Sequence, residues 1–395
     1  MLEVKSVLAE NFSITRGGPL YSLLARLGYA GNERRQAIGR TVAAVLLTWL
    51  PLLILSLIQG QAYGTQSTIP FLRDFAVNIR FLIAVPILIL AESGIDQKWR
   101  LLVLQFLRSR LVDEKELPAF EAAIRRTTRW RDCVLPEVLL FIAAFFPSIF
   151  SNNAELLMGG VSNWHTLGAG LSKPSAAGWW FNLVSTPIFR FLLLRWIWRL
   201  FLGTCHLWRT SRINLYLVAT HTDMAAGLGF LSQGQKAFSP IVFAGGMVVA
   251  GQVLNGIAYG GATLSSMKFP MIAYGVLATL LLIAPLLVVT PVLIKTKKKA
   301  LMEYGAQVTI HNQLFDRKWI QEERPPAQVL LGNPDPSSLI DLGSSFLVIR
   351  QMGIVPLDRP TLVTLAIAAA LPMVLVVLYA TPTETLVGIV LKMLV

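Results

Sequence analysis

Seven long apolar runs alternate with polar segments along the chain, and this alternation constrains the fold more than any other feature. A helix that crosses the hydrocarbon core of a bilayer needs about 20 mainly apolar residues. Open strands would leave backbone groups unpaired in lipid, so the spans are predicted to be helices. The predicted spans cover residues 41–60, 75–92, 134–150, 179–202, 238–260, 271–295 and 361–380.

The composition agrees with an all-α, polytopic transmembrane helical bundle of about seven spans. Hydrophobic residues form 54% of the chain and charged residues only 14%, and the mean hydropathy is +0.59. An ordinary soluble domain has about 25% charged residues. The chain is therefore predicted to be a membrane protein.

Lysine and arginine fall on every second polar segment. Residues 1–40 carry six, residues 93–133 nine, residues 209–237 three and residues 295–360 nine, which together are 27 of the 35 in the chain. By the positive-inside rule, these segments and the N-terminus are predicted to be cytoplasmic. The expected location is the inner (plasma) membrane of a bacterium. The expected partners are membrane lipids, with anionic headgroups on the cytoplasmic side.

The net charge of +13 follows from this distribution. It gives no reason to expect a nucleic-acid partner, which would need a basic soluble domain with groove-reading or aromatic elements. The two cysteines, Cys133 and Cys205, lie at predicted cytoplasmic helix ends, so no structural disulfide is expected. Since the sequence carries no recognised metal, phosphate-loop or hydrolase motif, we expect no metal and no cofactor.

The predicted topology divides the chain into eight segments. The last of them ends in an apolar tail that is too short for another span, and we predict a short interfacial helix there. The segments are a cytoplasmic N-terminal arm (1–40), spans one and two (41–92), a cytoplasmic helical loop (93–133), spans three and four (134–202), a cytoplasmic loop with a His-x-Asp motif (203–237), spans five and six (238–295), a cytoplasmic helical segment (296–360), and span seven with the apolar tail (361–395).

Charged residues inside the predicted spans are the first functional candidates. A charge at the centre of a bilayer costs about 2.5–3.5 kcal/mol on insertion scales, so it needs a partner or water. Arg190 lies near the middle of the fourth span, and Arg80 lies a little inside the outer end of the second. Two deep arginines favour an anion over a cation as the transported species.

The acidic residues at depth are expected to meet two further arginines. Glu92 and Glu137 lie near the cytoplasmic ends of the second and third spans, at the depth predicted for Arg195 and Arg199 on the fourth. We expect at least one Glu–Arg pair there. One interpretation is a buried pair that fixes helix register, although such pairs add little stability by themselves. A second is an anion-attracting pathway in which Arg80 and Arg190 are uncompensated. A third is that arginine side chains extend toward the headgroups, mainly at Arg199.

The most distinctive local string begins at His221 and runs through Asp223, Gly227 and Gly229 to Leu231. The structural interpretation is that Asp223 or Thr222 caps a helix while the glycines permit a tight turn. The first functional interpretation is a metal or phosphate site at His221 and Asp223, and the second is proton sensing by His221.

This string resembles the His-Pro-Asp…Gly-Leu-Gly-Phe-Leu motif of a family of bacterial polytopic inner-membrane proteins. Two other strings resemble the same family: Arg80 to Pro86, continuing to Glu92, and Asp341 to Phe346, continuing to Pro356. The chain departs from the motif at Thr222 and Ala226. The resemblance implies a membrane bundle in which the His-x-Asp string is a site or a hinge.

Three classes of function are compatible with these features. The first is a channel or transporter for anions, expected to be lined by buried arginines and to assemble as a homo-oligomer. The second is a membrane-embedded enzyme that acts on lipid or a lipid-linked substrate at the cytoplasmic interface, near His221 and Asp223. The third is a membrane scaffold or sensor, whose helix at 338–352 would present an apolar patch to a cytoplasmic partner.

Overall fold

The computed structural model of the chain describes residues 6–26, 28, 34–63, 69–150, 163–166, 174–321, 330 and 332–381. Within these ranges the regular structure is helical, apart from two isolated bridges, Ile69 with Asn163 and Thr166 with Pro174. The all-α class predicted from the sequence is therefore confirmed for the described part of the chain. The tail predicted as an interfacial helix lies outside the described residues.

The first half of the chain forms two long helical hairpins after an N-terminal arm. The second helix of each hairpin continues well past the predicted span, to Arg108 and to Ser211, since residues such as Leu102 and Phe106 remain buried there. The helices are α1 (Val7–Glu10), α2 (Pro19–Arg26), α3 (Arg34–Thr48), α4 (Leu50–Ile58), α5 (Phe75–Ile79), α6 (Val85–Arg108), α7 (Leu117–Asp132), α8 (Val134–Phe150), α9 (Ala176–Trp180) and α10 (Thr186–Ser211).

The second half adds a third hairpin, a pair of packed helices and a final apolar helix. The long helix of this hairpin is continuous from Lys268 to Ile320, through a 3₁₀ segment at Ala284–Val289 and a π-helical segment at Asp316–Ile320. The helices are α11 (Leu231–Lys236), α12 (Ser239–Tyr259), α13 (Lys268–Ile283), α14 (Thr290–Phe315), α15 (Pro334–Gln351) and α16 (Arg359–Ala380).

The bundle has two chemically different ends. We call one the basic end, because Arg16, Arg131, Arg209 and Lys295 lie there, and its segments are tied together by contacts such as that of Arg131 with the Ser13 carbonyl. We call the other the short-loop end, because its described loop segments are short: residues 59–63, 69–74, 163–166 and 260–267. Backbone hydrogen bonds join these short loops, for example from Phe71 to Gln61 and from Trp164 to Ile69.

Five helical stretches in the described part of the chain are long and apolar enough to cross a membrane, as expected of a membrane protein. The third and fourth predicted spans do not meet this criterion: Val134–Ser148 is apolar but short, and the stretch from Ala176 to Ser211 contains four arginines. The five stretches are Arg35–Ile58, Phe75–Arg108, Leu231–Tyr259, Lys268–Ile320 and Arg359–Ala380.

The second helix of the first hairpin and the second helix of the second hairpin begin in the same way, at the short-loop end. The side chains of Asp74 and Ser175 cap α5 and α9, each accepting a hydrogen bond from the backbone N–H three residues on. Each short helix continues into a five-residue π-helical segment, Arg80–Ala84 or Phe181–Ser185, and a proline follows two residues later. The sequences show no convincing internal repeat, so the correspondence is limited to the cap, the π-helical segment and the proline.

Helix α12 packs at the centre of the second half against α16 and α5. Its glycines allow the close approach: a Cβ at Gly251 would lie 3.0 Å from the Ala76 Cα, and one at Gly246 would lie 2.9 Å from Pro372. Small residues at helix contacts are the usual means of close packing in membranes. This contact brings Asn255 of α12 next to the start of α5.

We predict that Gly203→Ala destabilises the protein. The new Cβ would lie 2.5 Å from Cη2 of Trp99, whose ring is fully buried and has no room to shift. Overpacking of this kind costs about 1–3 kcal/mol, which should appear as a lower thermal midpoint in detergent.

The matched control for this variant is Gly275→Ala, also within a helix but with nothing within 4 Å of the new Cβ. It should leave the midpoint unchanged or raise it slightly, because alanine favours helix by about 0.5–1 kcal/mol over glycine. Equal midpoints for the two variants would contradict the packing described for Gly203.

Candidate functional site

Asp74 organises the short-loop end. One carboxylate oxygen accepts hydrogen bonds from the Val77 N–H at 3.0 Å and the Asn255 amide at 2.8 Å, and the other accepts from the Trp164 indole at 2.9 Å. Asn255 in turn accepts from the Phe75 N–H at 2.9 Å. Asp74 therefore joins α5, α12 and the 163–166 loop through buried polar contacts.

His165 lies next to this carboxylate. Its Nε2 is 3.9 Å from an Asp74 oxygen, and its ring packs on Trp164 and Phe181. A Cβ at Gly178 would collide with the His165 carbonyl, so glycine is needed where α9 passes this loop. Burial lowers the pKa of His165 to about 4 against the raising effect of Asp74, and nearby Arg80 lowers it further. The ring is therefore neutral at pH 7.

Arg80 is buried beside these groups, at the first position of the π-helical segment of the second hairpin helix. Its guanidinium carbon lies 5.8 Å from the centre of the Phe181 ring and 5.5 Å from that of Phe189, in cation–π contact with both. Phe181 begins the other π-helical segment. Such segments are frequent at functional sites, and here Arg80 begins one of them and contacts the first residue of the other.

A cavity of about 490 Å³ opens among these residues, and we call it the Arg80 cavity. Its wall combines loop residues of the short-loop end with side chains from α5 and α12, and Gln252 is exposed to it. At 1.5 Å per residue, Arg80 lies about 8 Å along the helix from Phe75. The polar lining residues are Asp74, Arg80, Asn163, His165, Gln252, Asn255 and Tyr259.

A second polar centre lies deeper, towards the basic end. Glu92 is buried and accepts hydrogen bonds from Arg40 and Arg199, both at 2.7 Å, while Arg195 lies 3.8 Å from the same carboxylate. Arg195 also lies 3.4 Å from Glu137. The Glu–Arg pairing expected from the depths of these residues is present. We call the five residues the Glu92 cluster.

The N-terminal arm closes over the Glu92 cluster. The Leu20 N–H donates to Glu137 at 3.0 Å. One turn beyond Glu92, the buried carboxylate of Asp96 accepts from the Ser13 hydroxyl and from the N–H groups of Ile14 and Thr15. The arm is therefore part of the folded bundle and covers the end of the cluster that would otherwise face the basic side.

Arg190 lies apart from both centres. It donates to the Ser148 hydroxyl at 3.1 Å, across the contact between α10 and α8, and it is not among the described residues that line the Arg80 cavity. The four arginines singled out in the sequence therefore separate: Arg80 lines the cavity, Arg195 and Arg199 join the Glu92 cluster, and Arg190 donates to Ser148 of α8.

The His-x-Asp string forms a tight turn, residues 221–229, which we call the Asp223 turn. Asp223 accepts hydrogen bonds from the N–H groups of Ala225, Gly227 and Gly229, at 2.8–3.1 Å, and lies 2.9 Å from His221 Nδ1. Gly227 has φ +93°, and a Cβ at Gly229 would meet the Asp223 carboxylate at 2.9 Å. These contacts account for the aspartate and both glycines as turn formers.

The carboxylate of Asp223 is held ionised by this turn. Burial alone would raise its pKa, but the three backbone hydrogen bonds together with His221 hold it below the ordinary value of 3.8. The Gly353 N–H donates to the Met224 carbonyl at 2.8 Å, so the turn also fixes the chain that leads into α16. Since Asp223 is committed to these donors, it is poorly placed to bind a ligand.

Neither a protein family, nor a curated protein, nor a solved structure matches this chain. Among the described residues, no three histidine, cysteine, aspartate or glutamate side chains come together in a way that could hold a metal ion. The functional interpretation therefore depends on the geometry of the Arg80 cavity and the Glu92 cluster.

Most residues of the polar cavity were not predicted from the sequence. Asp74 and Asn255 lie near the ends of predicted spans, where polar residues are common. His165 lies in a loop that is distant in sequence from both. A usable signal was Asp74, which directly precedes an apolar run and so fits a helix N-cap. Nothing in the spacing could have shown that Trp164 and Asn255 converge on it.

We predict that Glu92→Gln strongly destabilises the protein. The amide leaves Arg40, Arg195 and Arg199 close together with a single remaining acidic partner, and breaking a buried pair in this way costs about 3–5 kcal/mol. The thermal midpoint in detergent should fall well below that of the wild type.

Glu303→Gln is the matched control for Glu92→Gln, since that carboxylate is 62% exposed and lies 3.8 Å from Lys299. Its midpoint should stay at the wild-type value, because exposed pairs contribute little. A Glu92→Gln protein as stable as this control would show that the cluster does not hold the bundle together.

We predict that Asp223→Asn destabilises the protein by about 1–2 kcal/mol at pH 7, because an amide NH₂ would face one of the backbone N–H donors. The pKa of Asp223 in the folded state is depressed. The difference in free energy of unfolding between wild type and Asp223→Asn should therefore be complete above pH 3.8 and shrink as the pH falls below it.

This pH dependence can be measured as the difference in thermal midpoint between wild type and Asp223→Asn from pH 7 to pH 3, with Asp316→Asn at an exposed position as control. A difference that grows on acidification would contradict the role assigned to the Asp223 carboxylate.

Proposed function

We propose that the protein is a seven-span transporter of small anions in the bacterial inner membrane, with the Arg80 cavity as its solute site. The proposal takes the short-loop end as the outside and the basic end, with the N-terminal arm, as the cytoplasmic side. The charge distribution supports this orientation, because most of the basic residues lie on the segments of the basic end.

The packing supports the third and fourth spans of this proposal. Helix α8 and the stretch from Ala176 to Ser211 pack on each other, and α9 packs against α4 near the short-loop end. The stretch from Ala176 to Ser211 therefore runs alongside helices that are long and apolar enough to cross the membrane, and α8 packs on that stretch. The arginines of the fourth span meet partners such as Glu92, Glu137 and Ser148, which reduces the cost of placing them in a membrane.

The observation that carries the proposal is a polar cavity within helices that are otherwise apolar. Ionisable groups inside a membrane are costly and are usually retained for function. The cavity brings together one buried guanidinium, a neutral imidazole and the amides of Gln252 and Asn255. Three hydrogen bonds already engage the Asp74 carboxylate. An anionic solute in this cavity would meet the Arg80 guanidinium and the amides of Gln252 and Asn255.

The Glu92 cluster supports a transporter over an open channel. It lies 12 residues beyond Arg80 on the same helix, about 18 Å nearer the basic end. Its three arginines and two glutamates are paired, and the N-terminal arm covers them. A solute site on one side and a closed layer of ion pairs on the other is the arrangement that alternating access requires.

A second candidate function, a membrane scaffold, is favoured by one separate observation. Helices α14 and α15 pack against each other beyond the predicted sixth span and leave large apolar side chains exposed. Ile340 is 66% exposed and Met302 is 78% exposed. Soluble proteins rarely expose a large apolar patch unless the patch binds a partner. The enzyme interpretation has no comparable support, because Asp223 is engaged within its own turn.

We predict that liposomes with the purified protein conduct small anions such as chloride, nitrate or formate, and that Arg80→Gln lowers this flux at least about tenfold. The loss corresponds to one hydrogen bond to a charged group, about 1.5–3 kcal/mol. Flux can be followed with an anion-sensitive dye. Arg80→Lys should retain part of the flux, because it keeps the charge.

Two further variants make this test decisive. Arg350→Gln removes an exposed arginine at the end of α15 and should conduct like wild type. Gln252→Trp would fill the cavity without removing a charge, so it tests the cavity even if Arg80→Gln fails to fold. A folded Gln252→Trp or Arg80→Gln protein with wild-type flux would exclude the Arg80 cavity as the solute site.

A further inference from the structure

A second, larger cavity lies at the basic end and is distinct from the Arg80 cavity. It is a groove of about 1000 Å³ between the last turn of α10, the extended segment 213–219 and residues 287–304 of the long helix. This groove shares no lining residue with the Arg80 cavity, so anion binding in that cavity does not account for the groove.

One wall of the groove changes from apolar to cationic along the long helix. Leu287, Val288 and Val292 line one part, and Lys295 and Lys299 line the next. The two lysines are four residues apart, so they lie one above the other on the same face. Leu287 is 52% exposed, so the apolar part of the wall is open and not filled by the protein itself.

The facing wall adds one more cation and two aromatic rings. The Arg212 guanidinium lies 5.3 Å from the centre of the Trp208 ring, and both residues line the groove. Tyr216 lines it as well and is 72% exposed. Tryptophan and tyrosine are enriched at the boundary between membrane and water, where one side of the ring is apolar and the other wet.

The depth of the groove matches the headgroup layer. Lys268 begins the long helix at the short-loop end, and Lys295 follows 27 residues later, about 40 Å along the axis. A bilayer is about 40–45 Å thick including its headgroups. The lysines therefore lie at headgroup level, while Leu287, Val288 and Val292 lie at the level of the acyl chains.

We propose that this groove binds an anionic phospholipid. The phosphate would lie among Arg212, Lys295 and Lys299, with one acyl chain along Leu287, Val288 and Val292. Glu303 is 3.8 Å from Lys299, but both side chains are mostly exposed and the site keeps an excess of positive charge. A soluble phosphate would use the cationic part of the groove alone, whereas a phospholipid matches both parts at their proper depths.

The proposal can be tested by native mass spectrometry of the full-length protein in detergent, titrated with phosphatidylglycerol or with phosphatidylcholine of the same acyl chains. Wild type should bind phosphatidylglycerol more tightly. Each basic residue near an anionic lipid contributes about fivefold in affinity. The double variant Lys295→Gln/Lys299→Gln should therefore bind phosphatidylglycerol about 30-fold more weakly and phosphatidylcholine unchanged.

A matched double variant, Lys298→Gln/Arg350→Gln, removes the same charge at exposed positions outside the groove lining. It should bind phosphatidylglycerol like wild type. Val288→Trp tests the acyl-chain part, since the indole would fill that end. Its affinity for phosphatidylglycerol should fall at least about tenfold although no charge is lost. All variants are compared by elution volume and thermal midpoint to confirm that they are folded.

Three results would overturn the proposal. Equal weakening by the two double variants would show a diffuse attraction to basic protein and no defined site. Displacement of bound lipid by glycerol phosphate at similar concentrations would identify a site for a soluble anion. Equal affinity for the two lipids in wild type would show that the lysines do not contribute to binding.

Discussion

The paired charges around Glu92 are the constraint on which the rest of the bundle depends. One carboxylate holds Arg40 from the first hairpin and Arg199 from the second, and Arg195 links it to Glu137. An unpaired charge at this depth would cost several kcal/mol, so the helices that carry these residues must pack in one register. The register in turn fixes the positions of Arg80 and Phe181, which begin the π-helical segments that precede α6 and α10, nearer the short-loop end.

The two ends of the bundle are built in different ways. At the basic end, polar side chains are engaged by the N-terminal arm: Asp96 accepts three hydrogen bonds from residues 13–15, and Glu137 accepts one from Leu20. At the short-loop end, Asp74 ties three segments together while Arg80 and Gln252 line a cavity. The N-terminal arm therefore covers the Glu92 cluster on its basic side, while the Arg80 cavity lies at the end with little charge.

The sequence predicted the features that depend on local pattern. Apolar length predicted the five stretches that are long and apolar enough to cross a membrane, and two further spans that do not meet this criterion. Depth alone predicted that Glu92 would meet Arg195 and Arg199. The Asp74–Trp164–Asn255 contacts could not be predicted, because they join residues about 90 and 180 positions apart. The two π-helical segments were not predicted, although a proline follows each of them two residues later. The sequence left the role of the Asp223 carboxylate open. In the structure its contacts are with backbone N–H groups and with His221, all within one turn.

The most direct test is to determine from which side of the membrane a reagent reaches the Arg80 cavity. Gln252→Cys, in a Cys133→Ser/Cys205→Ser background, would be exposed to a membrane-impermeant thiol reagent in right-side-out and in inverted vesicles, with Glu303→Cys as the marker for the basic end. The account predicts that the thiol introduced at position 252 reacts from the side opposite to the thiol introduced at position 303, because the Glu92 cluster closes the path between them. Reaction of both thiols from the same side would contradict it.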